Sequence, residues 1–413
     1  MGAILIKNIR QLANTRPQHQ LLRGKELSVL PFIENAYLLV EQDEIASYGS
    51  MADLENKKIS AATTIDASGQ FVLPAWCDSH THLVFAASRE EEFVDKIKGL
   101  SYTEIAEKGG GILNSANKLN ATSEDQLFGL AWKRLEEISR LGTGAVEIKS
   151  GYGLTVEGEL KMLRVIKKLK ERSGLLIKSS FLGAHTYPLQ FRGDHPGYID
   201  LIINEMLPVI AGEKLADYID VFCETGFFSP EETETICRAG MRHGLKPKIH
   251  ANQLNLSGGV QTGVKLGAVS VDHLETMDEE AIGVLAGSGT IGTLLPGAAF
   301  FLRMPFQPAR KLIDAGCAIA LATDFNPGSS PSGNMNLVVS MSCIQMKMLP
   351  EEAINAATIN GAYAMELQDK TGSITAGKKA NLIITNPVPS LAYLPYAFGS
   401  NLVDKVMING EFL

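Results

Sequence analysis

Leu73-Pro74-Ala75-Trp76-Cys77-Asp78-Ser79-His80-Thr81-His82-Leu83 is the stretch on which the fold turns. An apolar run ends in two histidines spaced i, i+2. On an extended strand, residues two apart point to the same face, so both imidazoles converge on one point. Imidazole is the commonest side-chain metal ligand, and a convergent pair supplies half of a tetrahedral site. A lone His-x-His is structural more often than functional. Its meaning depends on whether the downstream chain completes the site.

From residue 71 onward, strands alternate with helical patterns, the texture of βα units. The capping-box spacings Ser123-x-x-Gln126, Ser229-Pro230-x-Glu232 and Thr276-x-x-Glu279 mark helix starts. Leu160, Leu163, Ile166 and Leu169 recur along 156–173, and Gly174 stops that helix. Eight apolar segments read as strands: 71–79, 144–149, 178–184, 218–223, 247–250, 268–272, 290–295 and 318–323. Eight parallel strands with intervening helices make an α/β fold, a (β/α)8 barrel of the TIM type, with its active site at the carboxyl ends of the strands. Polar residues should then gather where strands stop. They do, at His80 and His82, Lys149, His185, Glu224, His250, His273 and Asp324.

The two ends of the chain read differently. Residues 1–72 are short strands and turns, including Ala36–Val40 and Thr63–Gly69, and suggest a small antiparallel sheet. After about residue 370 the βα rhythm ends, and 372–384 and 403–410 read as strands again. The expected organisation is a barrel over 73–370 inserted in a small composite β-sandwich domain made of 1–72 and 371–413.

A hydrophobic content of 45% and a charged content of 20% describe an ordinary soluble globular protein. A net charge of -8 and a pI near 5.6 leave no basic footprint for nucleic acid and fit a protein that handles small molecules. Five scattered cysteines without a C-x-x-C pair read as buried free thiols in a reducing compartment. The opening Met1–Lys7 is too short and too soon charged for a signal peptide, and Ile6 stands where a myristoylation motif needs Ser or Thr. No apolar run reaches transmembrane length. The expected address is the cytoplasm, with no membrane partner.

His80, His82, His250 and Asp324 would make a three-nitrogen, one-oxygen set suited to a divalent or borderline ion with an open position for water. Such an ion can lower the pKa of water from about 15.7 to about 7. Asp324, in Leu321-Ala322-Thr323-Asp324-Phe325-Asn326, could hold the metal or its water and then carry a proton to a leaving nitrogen. Taken alone it could equally be a helix cap. His273 is assigned to orienting the water or polarising the scissile carbonyl, against the alternative of a hydrogen-bonded core histidine. His185 is either a carbonyl donor or an extra ligand. His19, His195 and His243 read as solvated.

Pro74-Ala75-x-x-Asp78-x-His80-Thr81-His82, the later strand-end histidines and Ala322-Thr323-Asp324 resemble the amidohydrolase superfamily. Within it, Glu147-Ile-Lys149-Ser-Gly-Tyr152-Gly, Phe181-Leu-Gly-Ala-His185, Lys248-Ile-His250-Ala and Asp324-Phe-Asn326-Pro-Gly328-Ser329 resemble the imidazolonepropionase family of histidine degradation. The likeness runs over essentially the whole chain. It implies one Zn²⁺ or Fe³⁺ per subunit on His80, His82, His250 and Asp324, hydrolytic opening of an imidazolone ring to N-formimino-glutamate, and a homodimer.

The same resemblance implies substrate contacts at Arg89, Tyr152, His185, Gln253, Asn326, Gly328 and Ser329. An arginine fork suits the substrate's propionate, although Arg89 could instead pair with Glu90, Glu91 or Glu92 on a solvated face. The glycines flanking Tyr152 would let backbone approach a ligand. Tyr102 and the Gly109–Gly111 run are candidates to close over the site. Related deaminases carry a proton-shuttling glutamate three residues after the metal histidine. Here Gln253 stands in that place, and glutamine cannot exchange a proton at neutral pH. That counts against the alternative of a heterocycle deaminase. Some amidohydrolases bridge two metals with a carbamylated lysine. Lys149 comes too early for that role, so one metal is favoured, with Glu147 and Lys149 pairing with each other or with Glu224 behind the ligands.

Overall fold

The computed structural model describes residues 2–55, 57, 61–100, 104 and 110–413. Its strands are β1 (Ile4–Ala13), β2 (Phe32–Glu41), β3 (Glu44–Ser50), β4 (Thr63–Asp66), β5 (Phe71–Pro74), β6 (Trp76–Thr81), β7 (Thr143–Lys149), β8 (Leu176–Ala184), β9 (Tyr218–Cys223), β10 (Lys246–Ala251), β11 (Ser270–His273), β12 (Ile291–Leu294), β13 (Ile319–Leu321), β14 (Leu382–Thr385), β15 (Val403–Ile408) and β16 (Glu411–Phe412). They form two eight-stranded sheets.

The first sheet joins both ends of the chain in the order β16-β15-β14-β5-β1-β2-β3, with β4 beside β1. It is mixed, not purely antiparallel: β1 runs parallel to β4 and β5 and antiparallel to β2. A bulge between Ile6 and Ile9, with Asn8 at φ 57°, keeps both isoleucines on the inner face although they are three residues apart. The start of β3 returns to the segment before β14, where Ile45 N–H donates to Lys378 O and Ala380 N–H to Asp43 O, both at 2.8 Å. The curled sheet thus encloses its own core of Ile6, Ile9, Leu38, Val40, Leu382 and Ile384.

The second sheet is the barrel, β6 to β13 in sequence order and parallel throughout. A parallel bridge between Thr81 and Phe325 closes the last strand region against the first. The single strand expected over 71–79 is two strands in two sheets. Pro74 has no N–H to continue the ladder with β14, and the chain crosses at Ala75 from one sheet to the other.

The helix Val156–Arg172 ends one residue early, at Ser173. Ser123 and Ser229 both close capping boxes. The third box is not formed. Asp278 caps the helix Glu279–Ala286 by accepting from Ala281 N–H, while Thr276 N–H is taken by Asn252 O. Among the described residues, no helix is long and apolar enough to cross a membrane. Four of the five cysteines are buried, and all are free.

Candidate active site

His80 and His82 lie on β6 and just beyond it, and their rings meet that of His250, from β10, at centroid distances of 4.5 and 5.5 Å. Each ring turns its Nδ1 to an acceptor: His80 to Asp272 Oδ2 at 2.7 Å, His250 to Asp220 Oδ1 at 3.1 Å, and His82 to the Ser150 carbonyl at 3.4 Å. Nδ1 donates in all three, and a neutral ring so engaged presents Nε2 as a bare lone pair. His250 Nε2 and His82 Nε2 are 3.4 Å apart, and His80 Nε2 is buried without a hydrogen-bond partner. Asp324 Oδ1 stands 3.5 Å from His80 Nε2 and 3.7 Å from His82 Nε2.

Two groups, His80-His82-His250 and His80-His273-Asp324, each gather their ligand atoms within 4.8 Å. Facing lone pairs beside a carboxylate make a donor set that fits a metal cation. Burial, with Lys149 nearby for His80 and His250 for His82, drives both imidazoles well below their ordinary pKa, so they remain neutral as ligands must.

Beneath these rings the barrel is filled with charge where aliphatic layers are usual. Lys149 donates to Glu147 at 2.6 Å and Asp220 at 2.7 Å and lies 3.4 Å from Asp272. Lys248 also pairs with Glu147, which accepts from Ser180 Oγ at 2.6 Å. All five charged side chains are fully buried. Burial opposes the charge on Lys149, but Asp220, Glu147 and Asp272 outweigh it and raise its pKa. A protonated amine so engaged is no candidate for carbamylation. The expected Glu147–Lys149 pair is present. Glu224 is not its partner, because its carboxylate binds the N–H groups of Thr225, Leu254 and Asn255. Asp220 and Asp272 escaped the sequence reading, and Lys248 entered it only within its motif, without a role. Their signal was a charge in the middle of an apolar strand.

His273 ends β11 in the left-handed region, at φ 87°, and its ring meets those of His80 and His250. Its Nδ1 is 3.3 Å from Glu275, which Gln307 also engages. Burial lowers the pKa of His273, but Glu275, Asp324 and Asp272 more than offset this and raise it. His185 stacks on His82 at 5.6 Å and donates Nδ1–H to the Gly151 carbonyl at 2.9 Å. Burial and His250 push its pKa down to about 4. Burial also raises the carboxyl of Asp324, against the pull of His273 and His250.

Tyr152 packs edge-on to His82 and His185. Its flanking glycines make room for the chain itself, a side chain at one and backbone at the other. A Cβ at Gly151 (φ +111°) would stand 2.9 Å from His185 Nδ1, and one at Gly153 would stand 2.3 Å from Glu159 N.

Arg89 does pair with Glu92, through Nε at 2.9 Å and Nη2 at 2.5 Å, yet both side chains are largely buried. Its remaining Nη1 lies against Gly328. Asn326 is engaged within its own loop, donating to Asp324 O and Ser329 Oγ and accepting from Gly328 N–H and Ser329 N–H. Ser329 Oγ in turn reaches Asp324 Oδ2 at 3.3 Å. Gln253 is buried in the loop that Glu224 holds. Tyr102 and Gly109 lie outside the described residues.

Among the remaining histidines, His195 is not simply solvated. It stacks on Tyr187 at 3.7 Å and pairs with Glu232 at 3.1 Å. His19 pairs with Asp369 at 2.8 Å on the surface, and His243 is exposed.

The model of the amidohydrolase family matches residues 224–413. An imidazolonepropionase from Flavobacterium johnsoniae is 60% identical over 410 residues, 99% of each chain. One from Thermoanaerobacter pseudethanolicus is 43% identical over 93% of this chain and 91% of its own. Among solved structures, the E. coli guanine deaminase superposes with a TM-score of 0.74 at 14% identity, covering 100% of this chain and 98% of its own. An atrazine chlorohydrolase from Arthrobacter aurescens, complexed with zinc, gives 0.68 at 17% identity, over 99% and 95% of the two chains. At such identities the likeness concerns the fold alone.

Proposed function

The chain belongs to the imidazolonepropionase family of the amidohydrolases, and from that membership we propose that it opens the ring of 4-imidazolone-5-propanoate by hydrolysis, releasing N-formimino-L-glutamate in L-histidine breakdown. The observation that carries the reading is the set of Nε2 atoms of His80, His82 and His250 gathered beside Asp324. In this reading His80, His82, His250 and Asp324 hold one zinc or ferric ion per subunit. The ion supplies an acidified water and polarises the ring carbonyl when bound.

The protein's own groups do the rest. Hydrolysis forms one carbon–oxygen bond at the ring carbonyl, breaks the adjacent carbon–nitrogen bond and delivers a proton to the departing nitrogen. Asp324 is the proton carrier. Burial raises its carboxyl, and Ser329 Oγ steadies the oxygen that is turned from the histidines.

The two strand-end histidines divide the polar work between a donor and an acceptor. Against its burial, Glu275, Asp324 and Asp272 raise the pKa of His273 and so favour the ring that has a proton to give from Nε2. It donates from Nε2 to the carbonyl oxygen as negative charge develops there. His185 gives Nδ1–H to Gly151, so its neutral ring can only accept, and a ring N–H of the substrate is the matching donor. Arg89 takes the propionate with the edge that Glu92 leaves free, and Tyr152 bounds the ring.

The test is incubation of the metal-loaded protein with 4-imidazolone-5-propanoate, following loss of ring absorbance. Turnover is expected. No turnover of that compound, with release of ammonia from a purine or pyrimidine, would replace this reading with a deaminase.

A further inference from the structure

Glu159 sits in the first turns of the helix Val156–Arg172, where an acid ordinarily faces water near the helix dipole. Here its side chain is completely buried and collects the loop before it. Oε1 accepts the N–H groups of Gly153 at 2.7 Å and Leu154 at 3.0 Å, and Oε2 accepts that of Gly151 at 2.9 Å. Ser150 hydrogen-bonds the same carboxylate, and its Oγ accepts from Leu182 N–H on β8 at 3.0 Å. One carboxylate therefore ties the end of β7 and the whole Gly151–Leu154 turn to a single helix.

Two features of the substrate pocket hang from that turn. Tyr152 projects from its middle against His82 and His185. The Gly151 carbonyl is the acceptor that settles which nitrogen of His185 carries the proton. We propose that Glu159 is a positioning residue for ring recognition: by clamping the Gly151–Leu154 turn it sets the place of Tyr152 and the Nδ1–H tautomer of His185. This rests on the hydrolase reading above, and it places the residue that orders the pocket's wall outside the pocket. A glutamine at 159 cannot substitute, since it has one acceptor oxygen, and its NH₂ would confront an N–H donor.

The experiment compares metal-loaded wild type, Glu159→Gln and the milder Ser150→Ala. Each is read by kcat and KM with 4-imidazolone-5-propanoate and by ¹⁵N NMR of the histidine rings. The His185 signal is identified by its loss in His185→Gln. Expected for Glu159→Gln is a KM raised on the order of tenfold, the scale of one lost charge-assisted hydrogen bond, with kcat changed less. The His185 ring should shift from Nδ1–H toward a mixture of tautomers. Ser150→Ala should move both readouts the same way by a smaller factor, and it carries the test alone if Glu159→Gln does not fold. A lowered melting temperature with unchanged KM and unchanged His185 tautomer overturns the proposal and leaves Glu159 a staple of stability. Failure of the hydrolase reading would look different: wild type would not turn over the substrate, while the NMR comparison would still report on the clamp.

Discussion

The backbone N–H of Asp324 donates to the carbonyl of His80 at 3.0 Å, and beside it His82 N–H donates to Phe325 O at 2.9 Å. These bonds close the barrel at its active end. Asp324, at φ 54°, is held there by backbone, so its carboxylate reaches the Nε2 atoms of His80 and His82 whatever its charge. Closure of the sheet and assembly of the polar centre are one event.

Asp324→Asn should therefore keep the fold and the closure while removing the carboxylate proposed to carry the proton. The rate with 4-imidazolone-5-propanoate is expected to fall roughly a hundred- to ten-thousand-fold, the usual worth of a positioned acid–base group. Circular dichroism should match wild type. A near-normal kcat would take aspartate out of the proton path.

Asp272→Asn tests the support behind the rings. Asp272 accepts from His80 Nδ1 at 2.7 Å and faces Lys149 at 3.4 Å, so an amide there would present a donor to a donor or leave His80 free to turn. Outer partners of this kind typically change metal affinity by about 10- to 100-fold. Zinc affinity, measured by competition with a chromogenic chelator, should drop by that factor. Equal affinity in the two proteins would show that Asp272 serves only the charge cluster.

Much of the centre was legible because of where its residues stand along the chain. An apolar segment that stops at a histidine or aspartate announces a strand end, and the barrel rule converts strand ends into neighbours. The residues that escaped, or were left without a role, sit elsewhere in the pattern. Lys248 precedes His250 by two and so shares its inward face, and Asp220 and Asp272 lie within β9 and β11. Their partners come from other strands, at sequence distances that no local spacing encodes. Glu159 carries no signal at all in one dimension, because an acid in a helix's first turns reads as solvated until tertiary packing buries it. The split at Ala75 was hidden because Phe71–Thr81 is buried from end to end, with no polar break to mark the change of sheet.

Lys378 gives a pH dependence opposite in sign to the usual lysine. Its Nζ is buried and donates to two neutral acceptors, Thr371 O at 3.0 Å and Ser373 Oγ at 2.7 Å, and burial, outweighing the pull of Cys77 and Asp369, pushes its pKa down from 10.5 to about 8. Between those values the unfolded chain holds a proton that the folded chain has released, so stability rises with pH across the window. Below about 8 both states are protonated, and the buried charge is a standing cost. Lys378→Met should melt higher than wild type at pH 7, and the gap should narrow as pH rises from 8 toward 10.5. A gap that widens with pH would mean that the ammonium is stabilising where it sits.

Gly328→Ala tests whether the proposed recognition of the propionate by Arg89 is separate from chemistry at the ring. A Cβ at this position would stand 2.3 Å from Arg89 Nη1, far inside contact distance, and the neighbour that must yield is the end of a flexible side chain. The guanidinium can retreat only by disturbing its bonds to Glu92, whose other oxygen accepts Gly111 N–H at 2.9 Å. The backbone needs no positive φ here, so the fold should tolerate the methyl and the melting temperature should change by no more than a degree or two, roughly the effect of a surface substitution. The cost should fall on KM, by about tenfold for one misaligned charge-assisted pair, with kcat less affected. An imidazolone lacking the propionate supplies the control: wild type and Gly328→Ala should handle it alike. Equal loss for both compounds would place the added methyl's effect at the reacting ring and remove Arg89 from carboxylate recognition.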